Sequence, residues 1–258
     1  MGFKQPQIVL LLESKSISAM IYQNIVQSNG KEKLFALLLD PDKCDSKHLN
    51  RLLSIASSCG VSMVFVGGSL VNANVDNFIS EIKKESNLPV VLFPGNALQF
   101  SAKANAILFL SLISGRNPDF LIGNHVIVSG AIKRSGVEVI PTGYILIDGG
   151  VQTSVQYMSS TMPIPSTKID IAVATALAGE QLGLKMIYLE AGSGAKQPVP
   201  VEMIKAVKCE ISIPLIVGGG LKTQEQVKAA WDAGADMVVV GNALENDTDK
   251  LPLMARRK

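Results

Sequence analysis

Eight short apolar runs, each set off from the next by a polar or amphipathic stretch, most constrain the fold: Leu34–Leu39, Val61–Val66, Pro89–Phe93, Ala106–Leu110, Val137–Ile147, Met186–Glu190, Pro214–Val217 and Asp236–Val240. Such runs predict strands apolar on both faces, and hence a parallel sheet covered by helices. The intervening stretches supply those helices. Leu49, Leu52, Leu53 and Ala56 recur at helical spacing after the first run, as do Val75, Phe78, Ile79 and Ile82 after the second. Ile169, Val173, Ala176 and Leu177 repeat the pattern before the sixth, and Thr223 with Gln226 reads as a capping box opening a helix that carries Val227 and Trp231. Eight such units close most naturally into one α/β barrel. The doubly wound open sheet is the alternative, but no GxGxxG follows the first strand. Two units are irregular: Gly95–Lys103 is too short and polar for a helix, and Asp148–Thr167 is a long insertion with Gly149, Gly150, Pro163 and Pro165.

A length of 258 residues, 47% of them hydrophobic, suits a single domain spanning 1–258. The 24 basic and 22 acidic residues are scattered and leave a net charge of +2, so nucleic acid is not an expected partner. Cys44, Cys59 and Cys209 form no CxxC pair and read as packing thiols of a cytoplasmic protein. The apolar run Ile8–Leu12 is too short to span a bilayer and lacks a small-residue cleavage site. Pro6 stands where a myristoylation motif needs Ser or Thr. The expectation is a soluble, untargeted chain.

Catalytic groups in a parallel barrel belong at the carboxyl ends of the strands, with phosphate often held by the last two loops. There the chain reads "VGGG" and "VVVGN", so Gly219, Gly220, Gly241 and Asn242 form a candidate phosphate cradle of backbone amides. Each glycine alone is equally explained by a tight turn. In "MIYLEAGSGA", alternation aims Met186, Tyr188 and Glu190 into the barrel and Ile187 and Leu189 at the helices. Glu190 is then a candidate general base, or a capping or ion-paired residue, and Gly192, Ser193 and Gly194 make a further anion-friendly turn. In "LLLDPDK" the same alternation aims Leu38 and Asp40 inward, beside Ser69 of "VFVGGSL". A carboxylate and a hydroxyl on neighbouring strand ends suit Mg²⁺, although Asp before Pro is an ordinary turn and Ser an ordinary helix cap. His48 is placed on an exposed helix face, and His125, without a second His or Cys, is read as a polar contact near the mouth. Tyr144 lines a groove or packs, Asp148 is the rival catalytic acid, and Trp231 either anchors a subunit contact or is buried within the chain.

Taken in order, "LLLDPDK", "VGGS", "FPGN", "IGNH", "PTGYILIDGG", "YLEAGSG", "VGGG" and "GADMVVVGN" resemble the geranylgeranylglyceryl phosphate synthase family, which includes heptaprenylglyceryl phosphate synthases. The resemblance runs from about residue 34 to 244. It implies a single modified (β/α)8 TIM barrel with the third helix replaced by extended structure, preceded by an N-terminal helical extension over about residues 1–32. The implied reaction is Mg²⁺-dependent transfer of a prenyl group, geranylgeranyl in the first instance, from its diphosphate to sn-glycerol 1-phosphate. Asp40 and Ser69 would hold Mg²⁺, and Tyr188, Leu189, Glu190, Ala191, Gly192, Ser193, Gly194, Gly219, Gly220, Gly241 and Asn242 would bind glycerol phosphate. Glu190 and Asp40 would be catalytic, with Lys43 assisting at the diphosphate. The stretches "ILFLSLISG" and "FLIG" would supply an apolar groove or belong to the core. The resemblance further implies a homo-oligomer, dimer or hexamer, with no transmembrane segment and only transient membrane contact. The alternatives are a phosphate-binding barrel isomerase using Asp40 and Asp148 as acid and base, and a noncatalytic phosphoglycerol-binding protein.

Overall fold

Alternation along each apolar run sends neighbouring side chains to opposite sides of a sheet, and the computed structural model, which describes residues 21–28, 30–245 and 247–256, shows where each side leads. Strands β1 (Leu34–Leu39), β2 (Met63–Val66), β3 (Val90–Leu92), β4 (Ala106–Leu112), β5 (Glu138–Leu146), β6 (Met186–Glu190), β7 (Leu215–Gly218) and β8 (Met237–Val240) pair in parallel in chain order. β8 pairs back onto β1, with Leu37 level with Val240, and closes the barrel. One set of side chains, including Ala36, Phe65, Val91, Leu108, Met186, Tyr188 and Ile216, fills the interior. The other set, including Leu37, Val64, Ile187, Leu189, Val217 and Val238, packs outward against the helices. The expected inward placement of Met186, Tyr188 and Glu190 follows from this division. β4 runs two residues past the expected Leu110 because Leu112 pairs with Tyr144 of the long β5.

The outer layer comprises α2 (Ser46–Ser58), α3 (Val75–Glu85), α4 (Asn124–Ser135), α6 (Ile169–Gln181), α7 (Val201–Glu210) and α8 (Gln224–Asp232). A short α1 (Ile21–Ser28) precedes the barrel, α5 (Ser154–Ser159) lies in the insertion, and α9 (Asn242–Glu245) and α10 (Leu251–Met254) follow β8. The capping box is formed: Thr223 Oγ1 accepts from the Gln226 amide, and the Gln226 side chain accepts from the Thr223 amide. No helix connects β3 to β4, only a 3₁₀ turn at Ala97–Gln99. Trp231 is buried and donates from Nε1 to Leu34 O at 3.2 Å, so it belongs to the interior rather than to a surface contact. Cys44 and Cys59 pack in part against the core, whereas Cys209 is exposed and is not a packing thiol. Among the described residues no helix is long and apolar enough to cross a membrane.

Helix α1 seals the amino-terminal end of the barrel. Ile21 and Ile25 join the interior cluster, and the Glu138 carboxylate, at the start of β5, accepts from the amides of Ile21 (2.8 Å) and Tyr22 (3.0 Å). An acceptor there satisfies donors that a helix start leaves open and opposes the positive end of its dipole. Of the expected N-terminal extension only this part lies within the described residues; Gly2, Pro6 and the Ile8–Leu12 run lie outside them.

At the same end Asp236, 3% exposed, accepts from Lys208 Nζ at 2.7 Å and from the Leu215 amide at 2.8 Å. Removing this carboxylate takes an ion pair from a largely covered ammonium and leaves the buried Leu215 N–H without its acceptor. Asp236→Ala is therefore expected to lower unfolding free energy by about 3 kcal/mol, read as a shift in urea midpoint. A shift under about a third of that size would show the pair to be energetically idle.

Candidate active site

The glycines after β7 are bare because of what lies beneath them. A Cβ on Gly218 would stand 2.3 Å from Tyr188 Oη and 2.9 Å from Glu190 Oε2, and one on Gly219 would stand 2.2 Å from Glu190 Oε1. One on Gly220 would meet Gln197 O at 2.6 Å. Gly219 and Gly220 also hold φ of +77° and +70°, a region L side chains rarely adopt. Close approach to the β6 loop thus demands glycine before any ligand is considered. The turn reading is met by these residues.

Glu190 ends β6 level with Gly218 of β7 and Leu146 of β5. It is 5% exposed, and its Oε1 accepts from the Gly192 amide at 2.6 Å. Burial raises its pKa from 4.5 to about 7, against the opposing pull of the Tyr188 hydroxyl and the Gly192 amide. Tyr188 Oη is buried beside the carboxylate but makes no well-formed hydrogen bond with any described residue. Burial, reinforced by the Glu190 charge, holds the phenols of Tyr144 and Tyr188 well above 10, so both stay neutral.

Asp40 follows β1. Its Oδ1 accepts from the Asp42 amide at 3.1 Å and its Oδ2 lies 3.2 Å from Lys43 Nζ. The loop after β2 crosses close by: a Cβ on Gly68 would stand 3.1 Å from Asp40 Oδ2, with Ser69 next in the chain. Asp42 ties the two loops together, accepting from the amides of Asn72 (2.9 Å) and Ala73 (2.7 Å), and those amides lower its pKa.

These loops surround one cavity of about 960 Å³. Its lining takes Asp40 and Ser69 from the loops after β1 and β2, Tyr188, Glu190, Ser193 and Gly194 from β6 and its loop, and Gly219, Gly220, Gly241 and Asn242 from the loops after β7 and β8, the last pair next to the end of β1. Three of the expected binding residues stand apart. Leu189 and Ala191 pack in the outer layer, and the Ala191 amide is bonded to Gly218 O. Gly192 is buried under Thr153, where a Cβ would stand 2.4 Å from Cγ2, and acts through its bond to Glu190. Asp148 is exposed and closes its own turn onto the Gly150 amide at 2.9 Å, outside the cavity lining. That removes half of the acid and base pair an isomerase would need.

A second, apolar groove opens beside the cavity, lined by Ile107, Phe109, Leu110, Leu112 and Phe120 from the two stretches read as groove or core. His125 is buried in its wall on α4, its ring edge-on to Phe109 at 4.2 Å, and burial lowers its pKa. It is a neutral residue of the groove wall that makes polar contact with nearby backbone. His48 is half-buried, with Nε2 lacking a partner among the described residues, and does not sit on an exposed face.

Sequence reasoning missed several contributors. Val155, Tyr157 and Met158 of the insertion line the cavity, their spacing hidden in a helix of six residues. Gln99, nearly fully buried in the turn that replaces the third helix, accepts from the Gly95 amide (3.1 Å) and donates to Gly68 O (2.8 Å). It fastens the loop that carries Ser69. Gln99→Leu keeps the size but strips both bonds, and a stability loss of about 2 kcal/mol is expected, with looser substrate binding. Equal melting temperatures for variant and parent would contradict that role.

A family model described as the PcrB family matches residues 27–256. The chain belongs to that family. A geranylgeranylglyceryl phosphate synthase of Spirosoma linguale is 52% identical over 86% of this chain and 90% of that protein. One from Thermococcus kodakarensis is 46% identical over 83% of this chain and 85% of its own. The crystal structure of (S)-3-O-geranylgeranylglyceryl phosphate synthase from Thermoplasma acidophilum in complex with substrate sn-glycerol-1-phosphate superposes with a TM-score of 0.86 at 32% identity, covering 92% of this chain and 97% of that one. An N-acetylmannosamine-6-phosphate 2-epimerase from Clostridium perfringens, 16% identical with a TM-score of 0.54, shares the fold alone. Within the PcrB family the eight strand ends therefore carry a familiar architecture, and the cavity described above is where its members' chemistry would be sought.

Proposed function

We propose that this chain is a prenyltransferase that joins a prenyl diphosphate, geranylgeranyl diphosphate in the first instance, to sn-glycerol 1-phosphate through an ether bond and releases diphosphate. The observation that carries this reading is a buried carboxylate, Glu190, in the lining of a glycine-lined polar cavity that shares a wall with an apolar groove. The names of the relatives and the ligand of the Thermoplasma structure supply the substrates.

Gly219, Gly220, Gly241 and Asn242 would hold the phosphate of the glycerol substrate through backbone donors and so place its free hydroxyl over Glu190. Glu190, with a pKa near the working pH, would accept that hydroxyl's proton as the new C–O bond forms. The groove would take the prenyl tail and exclude water from the reacting carbon. Asp40 and Ser69 would hold Mg²⁺: a carboxylate and a hydroxyl, the hard oxygen donors that ion takes, both line the cavity, and the Gly68–Ser69 loop passes close to the Asp40 carboxylate. When bound, the ion would neutralise the leaving diphosphate as a Lewis acid. Lys43, beside Asp40, would add positive charge there. The reading includes a cytoplasmic location and a homo-oligomer, dimer or hexamer, for which exposed Ile122, Val126 and Ile127 offer an apolar face.

Incubation with glycerol 1-phosphate, geranylgeranyl diphosphate and Mg²⁺ should yield an ether-linked product by mass spectrometry. A noncatalytic binder would retain phosphate affinity and give none.

A further inference from the structure

The apolar groove and the polar cavity share a wall, formed by Gly68, Ser69, Phe93, Tyr144, Val155 and Met158. Two of these are aromatic, and they do not stand alone. Phe93 stacks on Tyr188 with centroids 5.4 Å apart and planes at 29°, and meets Tyr144 at 5.8 Å and 69°. Tyr144 meets Tyr188 nearly at right angles, 5.3 Å away. Phe65 backs Phe93 at 6.2 Å. The junction between the two spaces is thus an aromatic cluster, with Asp40 and Ser69 to one side and Glu190 just beyond Tyr188.

The proposed reaction, on which this inference rests, fixes what passes over that junction. With the diphosphate near Asp40 and Ser69 and the tail in the groove, the allylic C1 of the prenyl chain lies between them. The C1–O bond to diphosphate breaks and its electron pair leaves with the diphosphate. A lone pair of the glycerol hydroxyl forms the new C1–O bond, and the hydroxyl proton passes to Glu190. Where bond breaking runs ahead of bond making, positive charge spreads over C1 and C3 of the allyl unit. None of the residues lining the groove is acidic, so no carboxylate meets that charge from its side. An aromatic ring does, through the negative potential over its face, and it gives the cation no oxygen to capture.

We propose that Phe93 and Tyr144 are catalytic residues whose rings stabilise the positive charge that develops on the allylic carbons as the bond to diphosphate lengthens. Burial keeps the Tyr144 phenol protonated across the range in which Glu190 ionises, so the ring stays neutral while the base works. Tyr188 holds both rings in place and lies between them and the carboxylate.

The test replaces Phe93 by 4-fluoro-, 3,5-difluoro- and 3,4,5-trifluorophenylalanine, which drain the ring's potential stepwise with little change of shape. The single-turnover rate of ether formation is expected to fall step by step, by about 30-fold across the series, while KM for the prenyl diphosphate moves less than about threefold. Phe93→Leu should lie at or below the bottom of that line. A flat series, or one that rises as an edge-on ring would give, overturns the proposal. Parent protein that makes no ether product at all would instead overturn the assigned reaction, so the two failures are separable.

Discussion

Glu190→Gln is expected to cut the rate of ether formation by about 10³ or more while leaving glycerol phosphate affinity within a few-fold of the parent. The amide can still accept from the Gly192 N–H and fill the space beneath Gly219, so the cradle survives. It cannot take a proton. The parent should gain activity as pH rises through about 7, where the buried carboxyl ionises. Stability should run the other way. The folded-state pKa lies above the ordinary 4.5, so the native chain binds more protons than the unfolded one between those values, and stability falls as pH rises through about 7. At pH 8 the glutamine variant should thus exceed the parent by up to about 3 kcal/mol in urea unfolding, with the gap closing below about pH 5. A variant that turns over normally would remove Glu190 from the chemistry, whatever its stability.

Asp40→Ala should be nearly as damaging, by a different route. Asp40 lines the cavity together with Ser69 and is held by the Asp42 amide and Lys43 Nζ. Losing it removes the carboxylate proposed to position the divalent ion beside Ser69 and the ion pair to Lys43. Activity is expected to fall at least 100-fold, the Mg²⁺ concentration for half activity to rise by 10-fold or more, and prenyl diphosphate binding to weaken. Glycerol phosphate binding should change far less than prenyl diphosphate binding. A Mg²⁺ titration that superposes on the parent's would refute the assignment. Thermal stability should hardly change, because Asp40 sits at a loop start and contributes no core packing.

The barrel was legible in the sequence because eight buried strands leave a signal that needs no partner information: each run is apolar in itself, and β1 and β6 appear with their expected bounds. The inward aim of Tyr188 and Glu190 followed from alternation alone. What lay beyond reach depended on which loops meet. Gln99 is an unremarkable residue in a polar stretch until its side chain is seen bridging Gly68 and Gly95. Asp148 and Glu190 are both carboxylates at strand ends, and only the folded structure separates an exposed turn residue from a buried carboxylate in the cavity lining. His48 was misplaced for the same reason: helical position predicts a face, but the neighbour that covers it comes from elsewhere in the chain. The family resemblance, carried by ordered motifs, reached the family where single residues did not.

The plug at the base has a consequence for traffic. Because Ile21 and Ile25 stopper the lower opening, nothing can enter or leave through the barrel axis, and both reactants and both products must share the upper doorway. On the proposed reaction the spent diphosphate, held near Asp40 and Ser69 in the polar cavity, would depart while the greasy ether is still lodged in the apolar groove. A surplus of diphosphate in the medium should then refill the doorway and stall the lipid behind it.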